Sequence, residues 1–233
     1  MTAAPGTTLG PMRRAVLRAA AGWALARAVA PWGAAVGLVA AAPGAHAGAQ
    51  IEEPLSDAVR HALRAAVEQL DPPEPVLTSA EERVHYVRWL ADGSWRLRRR
   101  KPEARAREDF LQTVWYESRR AGLDTALVLG LIEVESGFRR WAISRAGARG
   151  YMQVMPFWTR LIGDGDPDKL FHLQTNLRYG CVILRHYLDR ERGDLFMALG
   201  RYNGSRGQAA YPNAVLAARR RWADLGHGAA PRA

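Results

Sequence analysis

A chain of 233 residues can bury one sizeable core but is short for two large domains, so a single main domain is the expectation. One cysteine, Cys181, excludes an intrachain disulfide. The six histidines lack the His-Glu-x-x-His spacing of zinc hydrolases, so neither a metal nor a cofactor is expected. The formal charge of +10 suits a polyanionic partner, and nucleic acid, anionic lipid and an anionic cell wall all qualify; no helix-turn-helix or finger spacing supports nucleic acid.

Residues 1–47 read as an export signal. Arg13 and Arg14 form a basic start, Ala28 to Ala42 an apolar stretch, and Ala45-His46-Ala47 a small-residue cleavage site, with Gly48 as the expected first residue of the exported chain. The alternative is an uncleaved N-terminal anchor, although Arg18, Arg27 and Pro31 interrupt the apolar stretch and leave it short for a span. Setting aside Arg13, Arg14, Arg18 and Arg27 leaves 29 bases against 23 acids, so most of the excess charge belongs to the remainder of the chain.

Residues 48–100 are expected to form a helical N-terminal extension and linker. Val59, Leu63, Val67 and Leu70 repeat at helical spacing with Ser56 placed to cap them. Asp71-Pro72-Pro73-Glu74-Pro75 then breaks the pattern, because proline lacks an amide donor and forces the residue before it toward extended backbone. Ser79 and Glu82 have capping-box spacing and open a second helix expected to end near Gly93. The bases from Arg96 to Lys101 are read as a solvated charge run in a loop, with contact to wall or lipid phosphates as the alternative.

The main domain is expected over residues 101–225, followed by a disordered tail at 226–233. A long helix from Pro102 should stop at Gly122, and its Glu117 reads as a surface ion-pair partner beside Arg119 and Arg120. Asp124 can cap a helix over Thr125 to Ser136, so apolar at Leu127, Leu131, Ile132 and Val134 that it must be mostly buried. Further helices are predicted at Phe157–Ile162, Leu173–Arg190, Leu195–Tyr202 and Ala210–Trp222, with Cys181 as a buried structural thiol. No strand pattern of useful length appears. The fold class is mainly α.

Three motifs stand out within this frame: Glu135-Ser136-Gly137-Phe138, then Gly150-Tyr151-Met152-Gln153-Val154-Met155-Pro156, then Arg201-Tyr202-Asn203-Gly204. In this order and spacing they resemble the signature of the lysozyme-like lytic transglycosylases, over roughly Phe110 to Trp222. The resemblance implies a lysozyme-like helical domain, peptidoglycan glycan strands as substrate, and a periplasmic location, membrane-associated only if the N-terminal segment is retained. It leaves room for a cell-envelope or secretion-machine partner. Tyr151 stands where the family commonly has Leu, and Arg201 where Ala is usual.

Glu135 sits in the last turn of a buried helix, immediately before Gly137, which has the look of a left-handed stop. A carboxylate is disfavoured there by the partial negative charge of the helix end, and Leu131 and Ile132 one turn back disfavour ionisation further. A proton held at neutral pH is what a general acid needs. Position alone weighs this evenly against a simple ion pair with Arg139, Arg140 or Arg145; the resemblance makes Glu135 the catalytic acid. Glu133, about 200° away around the helix, reads as a structural carboxylate.

The Asp164, Asp166 and Asp168 run lacks the terminal Glu of a calcium loop and reads as a turn, so no assured second catalytic carboxylate is found. The resemblance implies that Glu135 serves twice, cleaving the N-acetylmuramic acid to N-acetylglucosamine bond with closure of a 1,6-anhydro ring. A hydrolytic muramidase and a non-catalytic wall-binding component of a secretion apparatus are the rivals. For the cleft, Met152 and Gln153 suit an N-acetyl group, Tyr202 can donate to Glu135 or position the sugar, Asn203 can bind a carbonyl, and Ser144 matches a hydroxyl frequent at the family's cleft. Ser136 reads as a local hydrogen-bonder, and Trp141, Phe157, Trp158 and Tyr211 as core in preference to sugar-stacking rings.

Overall fold

A computed structural model describes residues 50–68 and 77–227. The expected export signal, the proline linker and the last six residues of the expected tail lie outside the described residues.

Among the described residues eight α-helices follow one another: α1 (Asp57–Glu68), α2 (Ala80–Leu97), α3 (Ala104–Arg120), α4 (Thr125–Ser136), α5 (Phe157–Ile162), α6 (Leu173–Arg190), α7 (Leu195–Asn203) and α8 (Ala210–Trp222). A 3-10 turn, Pro167–Phe171, precedes α6. Among the described residues the only extended pairing is two isolated bridges, Ile143 with Arg149 and Arg149 with Val154, which make a small ribbon between α4 and α5. The mainly α reading holds.

Local chemistry sets four of the eight helix starts. Ser56 Oγ accepts from the Val59 amide, Ser79 Oγ from Glu82, Asp124 Oδ1 from Ala126, and Asp194 Oδ1 from Met197. Each satisfies one of the amide donors that a helix start leaves without an internal partner. The expected capping box at Ser79 is completed differently, since Glu82 Oε2 accepts from the amide and hydroxyl of Thr78.

Two readings of the extension are corrected. Helix α2 passes through Gly93 and ends at Leu97; a Cβ at Gly93 would stand 3.0 Å from Leu111, so close packing on α3 outweighs the low helix propensity of glycine. The basic run is a solvated charge run only in part: Arg98, Arg99 and Arg100 are exposed in the turn after α2, but three of the five bases hydrogen-bond other side chains. Arg96 bonds Asp224, Arg100 bonds Glu133, and Lys101 donates to the Tyr151 hydroxyl at 2.6 Å.

The core is continuous, running through Trp89, Leu97, Phe110, Leu111 and Val114 to Leu129, Leu131, Ile132, Ile183 and Leu199. Cys181 is buried within it. Helix α4 lies against α8 at backbone distance: a Cβ on Gly130 would come within 2.5 Å of the Arg219 amide nitrogen. That approach brings the start of α8 over the end of α4.

Glu117 is corrected from surface to core. Its side chain is fully buried, and Oε1 accepts from Arg178 Nε and Nη2 at 3.0 and 2.9 Å, with Arg120 on Oε2 at 3.4 Å. The ion pair was expected, but its principal cation comes from α6, 61 residues away.

Candidate active site

Glu135 closes α4. Gly137 follows at φ 57°, donating its amide to Glu133 O, and Phe138, also left-handed at φ 68°, turns back into the core against Phe110 and Trp222. This hydrophobic anchor after the helix end fixes where the last turn stops. Glu135 is 5 % exposed.

None of Arg139, Arg140 and Arg145 pairs with Glu135. Its partner is Tyr211 in the first turn of α8, whose hydroxyl donates to Oε1 at 2.5 Å. Oε2 is buried and has no hydrogen-bond partner among the described residues. Burial pushes the carboxyl up to about 8, against the downward pull of the Tyr211 hydrogen bond. At neutral pH the acid is therefore held mostly protonated. With Tyr211 donating to Oε1, the proton belongs on Oε2, the atom without a protein partner.

Tyr202 is fully buried nearby, and the charge of Glu135 contributes to raising its phenol well above the ordinary value, after burial. Its hydroxyl donates to Met152 O at 2.8 Å and not to Glu135. Tyrosine 202 thus ties the middle motif to α7, while Tyr211 takes the position at the carboxyl. Asn203 is 5 % exposed; its Nδ2 donates to Ser205 Oγ at 2.9 Å, and its Oδ1 is buried without a hydrogen-bond partner among the described residues. It joins Glu135 Oε2 as a second such atom contributed by the three motifs.

The middle motif is rigid. Gly150 adopts φ 75°, and a Cβ there would overlap Asn176 Nδ2 and Leu170 O at about 2.3–2.4 Å, so only glycine fits. Asn176 holds the segment from α6, accepting from the Met152 amide and donating to Arg149 O and Leu170 O. Met152 is fully buried. Gln153, left-handed at φ 49°, folds its side chain back so that Nε2 donates to Gly150 O and Ala142 O. Its amide hydrogens therefore brace the loop. Ser144 lies in the ribbon, where its Oγ accepts from the Ala148 amide; no hydrogen bond joins it to Glu135. Ser136 behaves as expected, donating to Ile132 O.

Other acids are engaged elsewhere. Glu133 accepts from the Trp222 indole at 2.7 Å and pairs with Arg100 and Arg221. Asp164 and Asp166 accept from the amides of Asp166 and Asp168, building the expected turn.

Three contributions escaped the sequence reading. Tyr211 was placed in the core, where it is, but its hydroxyl meets the acid; a phenol in a buried first turn must find an acceptor, and that was the available signal. Gln50, 103 residues from Gln153, is buried against the middle motif, where its Oε1 accepts from Met155 N and Trp158 Nε1 at 3.3 and 3.0 Å and its Nε2 donates to Gln153 O at 3.5 Å. Glu53, pairing with Arg190 and with Arg201 at the position where Ala is usual, anchors the same segment. A further reading is corrected: Trp141 is 67 % exposed, two residues before the first bridge of the ribbon, and not in the core.

The described residues thus form a mainly α fold in which a buried carboxyl, Glu135, ends an apolar helix and meets one tyrosine hydroxyl. Residues 113–221 match the family model for the transglycosylase SLT domain, and this segment is an SLT domain. The chain is similar to the membrane-bound lytic murein transglycosylase C of Actinobacillus pleuropneumoniae, 38 % identical over 90 residues that make up 35 % of this chain and 24 % of the relative. The protein of the same name from Mannheimia succiniciproducens is 50 % identical over 88 residues, covering 34 % and 24 %. The transglycosylase of Enterobacteria phage PRD1 is 32 % identical over 112 residues, covering 45 % and 41 %. The chain thus spans about a quarter of the length of the murein transglycosylases it matches. Among the described residues no helix is long and apolar enough to cross a membrane.

Proposed function

We propose that this protein is a peptidoglycan lytic transglycosylase in which Glu135 is the only catalytic carboxyl group. The observation that carries the reading is the state of that group: buried, raised to about 8, with Oε1 taken by Tyr211 and the proton left on Oε2. A group protonated at neutral pH and conjugate to a usable base is suited to both halves of a displacement.

In the first half, Glu135 Oε2 gives its proton to the oxygen bridging N-acetylmuramic acid and N-acetylglucosamine. The bond from C1 to that oxygen breaks with help from the muramyl acetamido carbonyl, and the N-acetylglucosamine side leaves as an alcohol. In the second half, the Glu135 carboxylate takes the proton of the muramyl 6-hydroxyl, whose oxygen bonds to C1 as the acetamido group withdraws. A 1,6-anhydro ring results, and Glu135 ends protonated as it began. Tyr211 stabilises the carboxylate in the interval, because its donated hydrogen bond favours the charged form. Asn203 Oδ1 is suited to accept from a sugar hydroxyl or an N-acetyl amide. Met152 and Gln153 shape the backbone of the cleft, and Ser144 lies on the ribbon beside it.

Residues 101–225 are the catalytic domain on this reading and residues 48–100 a bracing extension, exported to the periplasm and acting on the wall. Digestion of purified sacculi with product mass spectrometry tests it. Anhydro-muropeptides from the wild type and none from Glu135→Gln are expected; reducing-end products would make the protein a muramidase, and no product at all would make it a wall-binding component.

A further inference from the structure

We propose that Trp141, backed by Phe171 and Arg140 and flanked in sequence by Arg139 and Arg145, is a subsite for a peptide-bearing muramyl unit of the strand, its indole covering a sugar face and the three guanidiniums taking stem-peptide carboxylates. The inference rests on the reading of the protein as a glycan-cleaving enzyme and extends its cleft outward along the ribbon.

Trp141 and Ile143 are 67 % and 64 % exposed, an unusual cost for two large apolar side chains two residues apart. They are also held still. The Ala142 carbonyl between them accepts from the Gly150 amide at 2.9 Å and from Gln153 Nε2 at 3.1 Å, so this edge of the ribbon is fixed by the middle motif itself. On the other side, Arg139 Nε donates at 2.9 Å to the carbonyl of Ser136, the residue next to Glu135. The Trp141 ring leans on Phe171 with centroids 5.3 Å apart, and the Arg140 guanidinium lies 4.7 Å from it while its Nε donates to Phe171 O. A fixed, exposed aromatic ring loses little conformational entropy when a flat apolar face covers it.

The charge around the ring selects the occupant. Arg149 is spoken for by Asp168, at 2.6 Å. Arg139, Arg140 and Arg145 have no carboxylate partner among the described residues, although most other arginines nearby do. The Arg140 guanidinium on the indole, with Arg139 and Arg145 exposed within four residues of it and none of the three facing a carboxylate among the described residues, is complementary to a ligand carrying an apolar ring face and carboxylates together. A muramyl sugar with its stem peptide is such a ligand, and it belongs to the strand that the adjoining loop would bind.

Binding is measured by cosedimentation of the full chain carrying Glu135→Gln, so that no turnover intervenes, with peptide-bearing sacculi, with strands stripped of stem peptides, and with phosphatidylglycerol vesicles. Adding Trp141→Ala should weaken binding to both glycans by about two- to tenfold. Adding Arg139→Gln, Arg140→Gln and Arg145→Gln together should weaken binding to the peptide-bearing sacculi alone. Thermal melts should be unchanged by Trp141→Ala, because the ring is exposed. Glycan binding by the Trp141→Ala variant as tight as its parent's, or a loss confined to the vesicles, overturns the proposal; an arginine effect equal on both glycans overturns the carboxylate part of it. These readouts do not depend on cleavage, so an inactive wild type would defeat the proposed function while the subsite is still judged.

Discussion

The hydroxyl of Tyr211 stands 2.5 Å from Glu135 Oε1 and donates to it, joining the first turn of α8 to the last turn of α4 across 76 residues. This contact decides which oxygen of the acid carries the proton. It also partly offsets the effect of burial, so the carboxyl settles near 8 and remains able to act as a base once it has given its proton away.

Removing that donor with Tyr211→Phe should raise the Glu135 pKa further, because the hydrogen bond lowers it. The alkaline limb of the pH-rate profile should therefore move to higher pH, while kcat falls by on the order of tenfold or more from weaker stabilisation of the intermediate carboxylate. A kcat loss with an unmoved alkaline limb would contradict the assignment.

Glu135→Gln should abolish turnover and yet stabilise the fold at alkaline pH. The native carboxyl, near 8, binds a proton that the unfolded chain, near 4.5, has already released, so this group's contribution to stability declines as pH rises between those two values and is level outside them. Melting temperatures of wild type and variant across pH 5 to 9 should diverge upward through this window in the variant's favour. Rates should fall by at least about a hundredfold.

Glu133→Gln, two residues away on the same helix, should behave oppositely. Its partners are Trp222, Arg100 and Arg221, and a glutamine carbonyl can still accept from the indole. The exposed arginines lose little, about 1 kcal/mol or less. Activity on sacculi should stay within about twofold of wild type, as no transition-state contact is lost.

Glu117→Gln tests the core in place of the chemistry. Its carboxylate receives Arg178 in a two-pronged contact inside the protein, and neutralising one member of a buried pair costs about 3 kcal/mol or more. Urea denaturation should show a lower midpoint with unchanged slope, and residual folded protein should keep the wild-type pH profile.

Gln50→Ala should loosen the middle motif from outside the family segment. The substitution leaves the Trp158 indole and the Met155 amide without their acceptor, at a cost of about 1–3 kcal/mol for each buried group left unsatisfied. A lower melting temperature and a raised KM on sacculi are expected, with little change in the pH limb set by Glu135.

Much of the fold was legible because its signals act over a few residues. Ser56, Ser79 and Asp124 cap where they were expected to, and α4, α5, α6 and α8 begin and end at the predicted residues. The motif residues were legible as candidates for the same reason, since the stop at Gly137 and the turn at Gly150 are local conformations that glycine permits. Gly93 misled because a glycine ends a helix only where nothing packs on it, and Leu111 does.

What the sequence determined, then, is the helical order and the placing of one carboxyl at the end of an apolar helix. The tertiary structure alone decided which tyrosine reaches that carboxyl, that Glu117 is sunk in the core with Arg178 while Trp141 stands in solvent, and that Gln50 closes on the middle motif. Capping and periodicity are written into neighbouring residues. Burial and the partners of a buried polar group depend on which distant helices meet, and no local pattern encodes the approach of α8 to α4.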